Sequence, residues 1–123
     1  MVDDDLDILE LLQSMLEEKG FRVVAAPTGE QAVKIAKETE FQVALLDIVL
    51  PDVRGDKLAV ELKKIDKSID IIFITGFPGF EDCINALDIG VRDILLKPIT
   101  VKELLKSVNQ VLLNRGLVHS GTS

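Results

Sequence analysis

Side chains capable of chemistry are few in this sequence and unevenly placed. The one histidine, His119, lies in a polar stretch near the carboxyl end. The one cysteine, Cys83, stands among apolar neighbours, where a small buried hydrophobe is the favoured reading over a reactive thiol. Zinc sites and histidine-based triads therefore lack their parts, which leaves carboxylate, hydroxyl and amine chemistry. Three such residues each close an apolar run: Asp47 after Val43-Ala44-Leu45-Leu46, Thr75 after Ile71-Ile72-Phe73-Ile74, and Lys97 after Ile94-Leu95-Leu96. A run of acids, Asp3-Asp4-Asp5, stands just ahead of the first periodic segment. Singly, each has a plain structural use: a loop starter, a turn residue, a solvated charge. Together they form a complementary set, and clustered carboxylates are costly unless a cation neutralises them. Magnesium is the natural candidate, because it prefers oxygen ligands, keeps several waters and is held by one or two carboxylates plus a phosphate oxygen.

The elements that must position this set are legible from hydrophobic period. Short runs rich in branched residues alternate with longer stretches whose apolar positions recur at three and four, a β-then-α pattern. Leu9, Leu12, Met15 and Leu16 mark a first helix that stops at Lys19-Gly20, where glycine can take a left-handed cap. Phe21 to Ala25 reads as a strand, and Thr28-Gly29-Glu30-Gln31 as a capping box that opens a second helix through Ala32, Val33, Ile35 and Ala36. Val43 to Ile48 is a strand apolar at consecutive positions, as expected when helices cover both faces of a parallel sheet. After the Pro51 to Gly55 turn, Leu58, Ala59, Leu62 and Ile65 give a third helix, and Ile71 to Thr75 another buried strand. A fourth helix is expected from about Glu81 to Gly90. Thr100-Val101-Lys102-Glu103 caps the last helix, which runs to Arg115-Gly116. Asp5 and Asp7 read as first-turn charges favoured by the helix dipole. The result is an α/β fold with a doubly wound parallel sheet, whose ligands bind outside the carboxyl ends of the strands. That is the rim where Asp47, Thr75 and Lys97 fall.

Composition narrows the partners. At 123 residues and 47% hydrophobic, with no internal repeat, the chain suits one domain with one core. Its 14 basic against 21 acidic residues leave a net charge of -7, which disfavours direct contact with nucleic acid or an anionic membrane surface. No window approaches a membrane span, and the acidic start is unlike a signal peptide, so a cytoplasmic setting is expected.

Val2-Asp3-Asp4, Leu45-Leu46-Asp47, Leu50-Pro51 with Gly55, Ile74-Thr75-Gly76 and Leu96-Lys97-Pro98 follow one another at a spacing that resembles the receiver domain of two-component response regulators. The resemblance covers Val2 to about Leu113, giving a domain over residues 1–116 and a polar tail over 117–123. It implies a flavodoxin-like five-stranded sheet of order 2-1-3-4-5 with five helices. It further implies that Asp47 accepts a phosphoryl group from the phosphohistidine of a sensor histidine kinase or phosphotransfer protein. Mg2+ would be held by Asp3, Asp4, Asp47 and the backbone carbonyl of Val49. Lys97 and Thr75 would supply a positive charge and a hydroxyl to the phosphoryl group, and the Lys97-Pro98 bond would be cis. Such a domain is a switch for an output domain or partner rather than an enzyme, catalysing only its own phosphorylation and slow dephosphorylation.

Several positions depart from the family pattern. The aromatic residue usual in the last strand is Ile94, so signalling falls on smaller repacking there or on the Gly76 to Phe80 loop, where Phe77 and Phe80 are candidates for partner contact or for core packing. Val49 and Phe77, both apolar, flank the path of a hydrolytic water, hence the slow hydrolysis. Only Met1 and Val2 precede the acids, against the five or six residues of a typical strand. An incomplete amino end is favoured over a stub that pairs briefly or a position filled by another chain, as in a homodimer. The alternative function is a receiver-like interaction module that is not phosphorylated. A phosphatase reading fails on Val49, which stands where a second acid is needed. A flavin reading lacks a phosphate loop after the first strand.

Overall fold

The computed structural model describes residues 1–76, 79 and 89–116. Among them are four helices, α1 (Leu6–Glu18), α2 (Gly29–Glu38), α3 (Gly55–Ile65) and α4 (Val101–Asn114), and three strands, β1 (Val43–Asp47), β2 (Asp70–Thr75) and β3 (Val91–Leu96). The helix expected from Glu81, together with Phe77, Phe80, Cys83 and the 117–123 tail with His119, lies outside the described residues.

The caps form as their residue types dictate. Asp5 accepts from the backbone amides of Asp7 and Ile8 at 3.1 and 3.2 Å, Thr28 from Gln31 at 3.2 Å, and Thr100 from Glu103 at 3.1 Å. Gly20 closes α1 at φ 94°, a region that costs glycine little.

The strands are parallel in the order β1-β2-β3, with Val43 opposite Asp70 and Asp47 opposite Ile74. Alternate strand residues feed two cores. Ala44, Leu46, Ile71 and Phe73 pack with Ala32 of α2 and with Leu58, Ala59 and Leu62 of α3. Leu45, Ile72 and Ile74 pack with Leu12 and Leu16 of α1 and with Leu104, Val108 and Val111 of α4. Helices therefore cover both faces, which is the doubly wound arrangement and the reason the strands are continuously apolar. Full burial of Phe73 contributes roughly 1.5–3 kcal/mol, and the same holds for Leu46, Ile71 and Ile72.

One expected strand does not form. Phe21 to Ala25 joins no ladder, and the nearest bridge comes just after it, at Ala26. A strand requires a ladder, and the neighbouring stretch, Met1 to Asp3, supplies only this bridge. Ala26 donates to the Met1 carbonyl at 2.9 Å and Asp3 to the Ala26 carbonyl at 3.2 Å. On its other side Val2 donates to Leu45 at 2.7 Å and accepts from Asp47 at 2.9 Å. Val2 thus lies parallel between Ala26 and Leu46, preserving the expected 2-1-3-4-5 order with a single bridge in place of the ladder on each side of the first strand. Met1 also borders a groove of about 270 Å³ lined by Leu16, Val23, Val43, Leu45 and Val108. No helix among the described residues is long and apolar enough to cross a membrane.

Candidate functional site

Each polar residue that closes a strand reaches the same rim. Asp47 ends β1, Thr75 ends β2, and Lys97 follows β3 and is tied to its neighbour by donating its backbone N–H to the Thr75 carbonyl at 2.8 Å. The pairing of Val2 with β1 lays Asp3 beside Asp47, and Asp3 Oδ1 accepts from the Asp5 amide at 3.0 Å. Lys97 Nζ then donates to Asp3 Oδ2 at 2.8 Å and to Asp47 Oδ2 at 3.0 Å, joining residues 94 and 50 positions apart. The Lys97-Pro98 bond is cis.

Gly55 explains why the loop after Asp47 can close so tightly. A Cβ at this position would stand 1.9 Å from the Asp47 carbonyl oxygen, so only glycine fits. The Gly55 amide donates to the Ile48 carbonyl at 2.7 Å, and Val49 forms an antiparallel bridge with Arg54. Both ends of the loop are thereby fixed at Asp47, and the Val49 amide donates to Asp47 Oδ1 at 3.3 Å.

The site is buried beneath and charged above. Asp3 and Asp47 are 5% and 6% exposed and Thr75 1%, whereas Asp4 and the Val49 side chain face solvent. Burial pushes the Asp47 carboxyl above its usual range; the hydrogen bond and charge of Lys97 pull it down without cancelling the rise, and the charge of Asp3 adds to it. For Lys97, burial alone lowers the ammonium, but the hydrogen bonds from it to Asp3 and Asp47 outweigh that and hold it above its usual value. Two buried acids share one ammonium, which is why the lysine gains and Asp47 does not.

Carboxylate oxygens of Asp3, Asp4 and Asp47 lie within 4.8 Å of one another. An all-oxygen donor set carrying excess negative charge fits a hard divalent cation. Asp3, Asp4, Asp47 and Lys97 come together at this rim, Thr75 ends the neighbouring strand with its carbonyl bonded to the Lys97 amide, and Val49 stands on the adjoining loop. Asp5 and Asp7 serve α1 instead. Ile94 is partly buried against the core shared by α2 and α3.

Three polar positions were not evident from sequence. Asp52 accepts from the amides of Gly29 and Glu30 at the start of α2, at 3.0 and 2.9 Å. Asp70, buried at the opposite end of β2, pairs with Arg92 and Arg115 at 2.8 Å each. Asp93 accepts from the Ser107 hydroxyl at 2.7 Å, tying β3 to α4. Turn-forming and strand-edge aspartates carry no local signature of such distant partners.

A family model described as the response regulator receiver domain matches residues 1–109. The response regulator SaeR of Staphylococcus aureus is 30% identical over 112 residues, 91% of this chain and 49% of that protein, so the chain spans about half the length of this relative. Among solved structures, a receiver domain protein (CheY-like) from Methanospirillum hungatei superimposes with a TM-score of 0.87 at 30% identity, covering 94% of this chain and 92% of the other. A two-component response regulator from Clostridium difficile gives a TM-score of 0.85 at 27% identity, covering 93% of each chain. These matches span the motifs at the rim and the fold that brings them together, and the chain belongs to the response regulator receiver domain family.

Proposed function

We propose that Asp47 is the phosphoacceptor of this receiver domain, taking a phosphoryl group from the phosphohistidine of a sensor histidine kinase or phosphotransfer protein. The observation that supports it is the rim itself, where three carboxylates gather and two of them pair with one ammonium at the end of a buried sheet. A carboxylate oxygen of Asp47 forms the new P–O bond while the P–N bond to the donor imidazole breaks, and its electron pair stays with the departing ring nitrogen. Lys97, already bonded to Asp47 Oδ2, places fixed positive charge where phosphoryl oxygens arrive. Thr75, beside it at the end of β2, supplies a hydroxyl donor. Asp3, Asp4, Asp47 and the Val49 carbonyl would hold Mg2+, which when bound supplies further positive charge against the phosphoryl oxygens. Val49 offers no group to orient an attacking water, so the aspartyl phosphate hydrolyses slowly and the switch holds its state. Residues 1–116 make up the receiver, and its output is a further domain or partner.

The test is intact mass after incubation with a small-molecule phosphodonor and Mg2+. The parent gains one phosphoryl increment and Asp47→Asn none. A parent that stays unlabelled would contradict the reading.

A further inference from the structure

We propose that Asp52 is a positioning residue for the cation site, a latch that fixes the loop carrying Val49 by gripping the amino end of α2; the inference rests on the receiver reading of the rim. The first three amides of α2 are all satisfied, but from two sources. Thr28 takes Gln31 locally, whereas Gly29 and Glu30 donate to the two carboxylate oxygens of Asp52, 23 and 22 residues along the chain. Helix amides and dipole both favour a carboxylate there, and the two bonds hold the Asp52 carboxyl below its usual range. The fit is close: a Cβ on Gly29 would stand 2.3 Å from Val53 Cγ1, so the loop lies directly on the first turn of α2.

The base of this loop is closed at Asp47 by the Val49 to Arg54 bridge and by Gly55 packed on the Asp47 carbonyl. With its base fixed there and its tip at α2, the loop leaves Val49 one position. Asp52 touches no reacting group. Its effect passes through the backbone of residues 49–52, and groups that orient a ligand in this manner govern metal affinity. Loss of the latch frees the tip and loosens the carbonyl of Val49.

The experiment compares the parent with Asp52→Ala, Asp52→Asn and Gly29→Ala, measuring Mg2+ binding by titration calorimetry and amide exchange at Gly29 and Glu30. Thermal unfolding reports whether each variant is folded. Asp52→Ala should weaken Mg2+ about tenfold and speed exchange at both amides. Asp52→Asn, which keeps one acceptor oxygen, should recover part of the affinity. Gly29→Ala, which displaces Val53 while every acidic residue is kept, should weaken Mg2+ in the same direction. A folded Asp52→Ala that binds Mg2+ like the parent would overturn the latch alone. A parent that binds no Mg2+ would overturn the reading beneath it.

Discussion

Buried acids stand at both ends of the central strands, in opposite electrical states. At the amino end of β2, Asp70 is 3% exposed and held by two arginines, Arg92 and Arg115, the second of which also donates to the Ser68 carbonyl. At the carboxyl end, Asp3 and Asp47 share Lys97, with the exposed Asp4 carboxylate close by. Burial raises both Asp70 and Asp47, but the arginine hydrogen bonds reverse the effect at Asp70 and leave it below the usual range, whereas Asp47 stays above. The first cluster is over-neutralised and closed, tying the end of α4 to the sheet. The second is under-neutralised and open to one side. A fold that buries carboxylates can satisfy them completely, as it does at Asp70; leaving two buried acids, with Asp4 beside them, short of positive charge at the other end is what a site for a cation and a transferred group requires.

The largest effect expected falls at the carboxyl end. Gly55→Ala drives a methyl group into the Asp47 carbonyl, and the backbone must move to admit it. We expect a loss of about 3 kcal/mol in denaturant unfolding together with loss of Mg2+ binding. Retention of both would mean that the loop does not set the geometry of Asp47.

Next come two matched substitutions that should act in opposite directions. Asp70→Asn removes the partner of two arginines and should cost about 1–2 kcal/mol, less than a fully buried pair because Arg92 is half exposed. Phosphoryl labelling should survive it. Asp47→Asn removes an unfavourably buried charge and should raise the unfolding midpoint while abolishing labelling. Equal destabilisation by both would erase the distinction between a structural and a reserved acid.

The pH dependence of stability separates the clusters in the same manner. Below about pH 4, between the lowered value of Asp70 and the ordinary one, the unfolded chain holds more protons, so stability rises with pH. Asp70→Asn should flatten that limb. Between the ordinary carboxylate value and the raised one of Asp47, the folded chain holds more protons, so stability falls as pH rises through that window. Asp47→Asn should remove the fall. Urea unfolding across pH 3–7 in both variants measures the two slopes. The smallest expected change is kinetic: Val49→Asn gives an attacking water a hydrogen-bonding neighbour and should shorten the lifetime of the phosphorylated form with little effect on stability.

The open end of the molecule was far more legible in sequence than the closed one. Asp47, Thr75 and Lys97 announce themselves because each ends an apolar run, and strand ends share a rim by topology. The caps at Asp5, Thr28 and Thr100 are local patterns. Asp70 also adjoins an apolar run, but its partners are 22 and 45 residues away and no local pattern links them. Gly55 stands out as a motif residue, while its cause, the closeness of the Asp47 carbonyl, exists only in three dimensions. The stretch from Phe21 has strand composition, yet strand structure depends on the neighbour it finds, and beside it Met1 to Asp3 supplies a single bridge.

The position that receives the phosphoryl group decides whether Asp47 is the acceptor. Borohydride reduction of the phosphorylated protein converts an aspartyl phosphate to homoserine, and peptide mass spectrometry then locates it. Homoserine at position 47 alone is the predicted result. Homoserine at Asp3, Asp4 or Asp70, or at none of them in a protein that carries the phosphoryl increment, would contradict the assignment of Asp47.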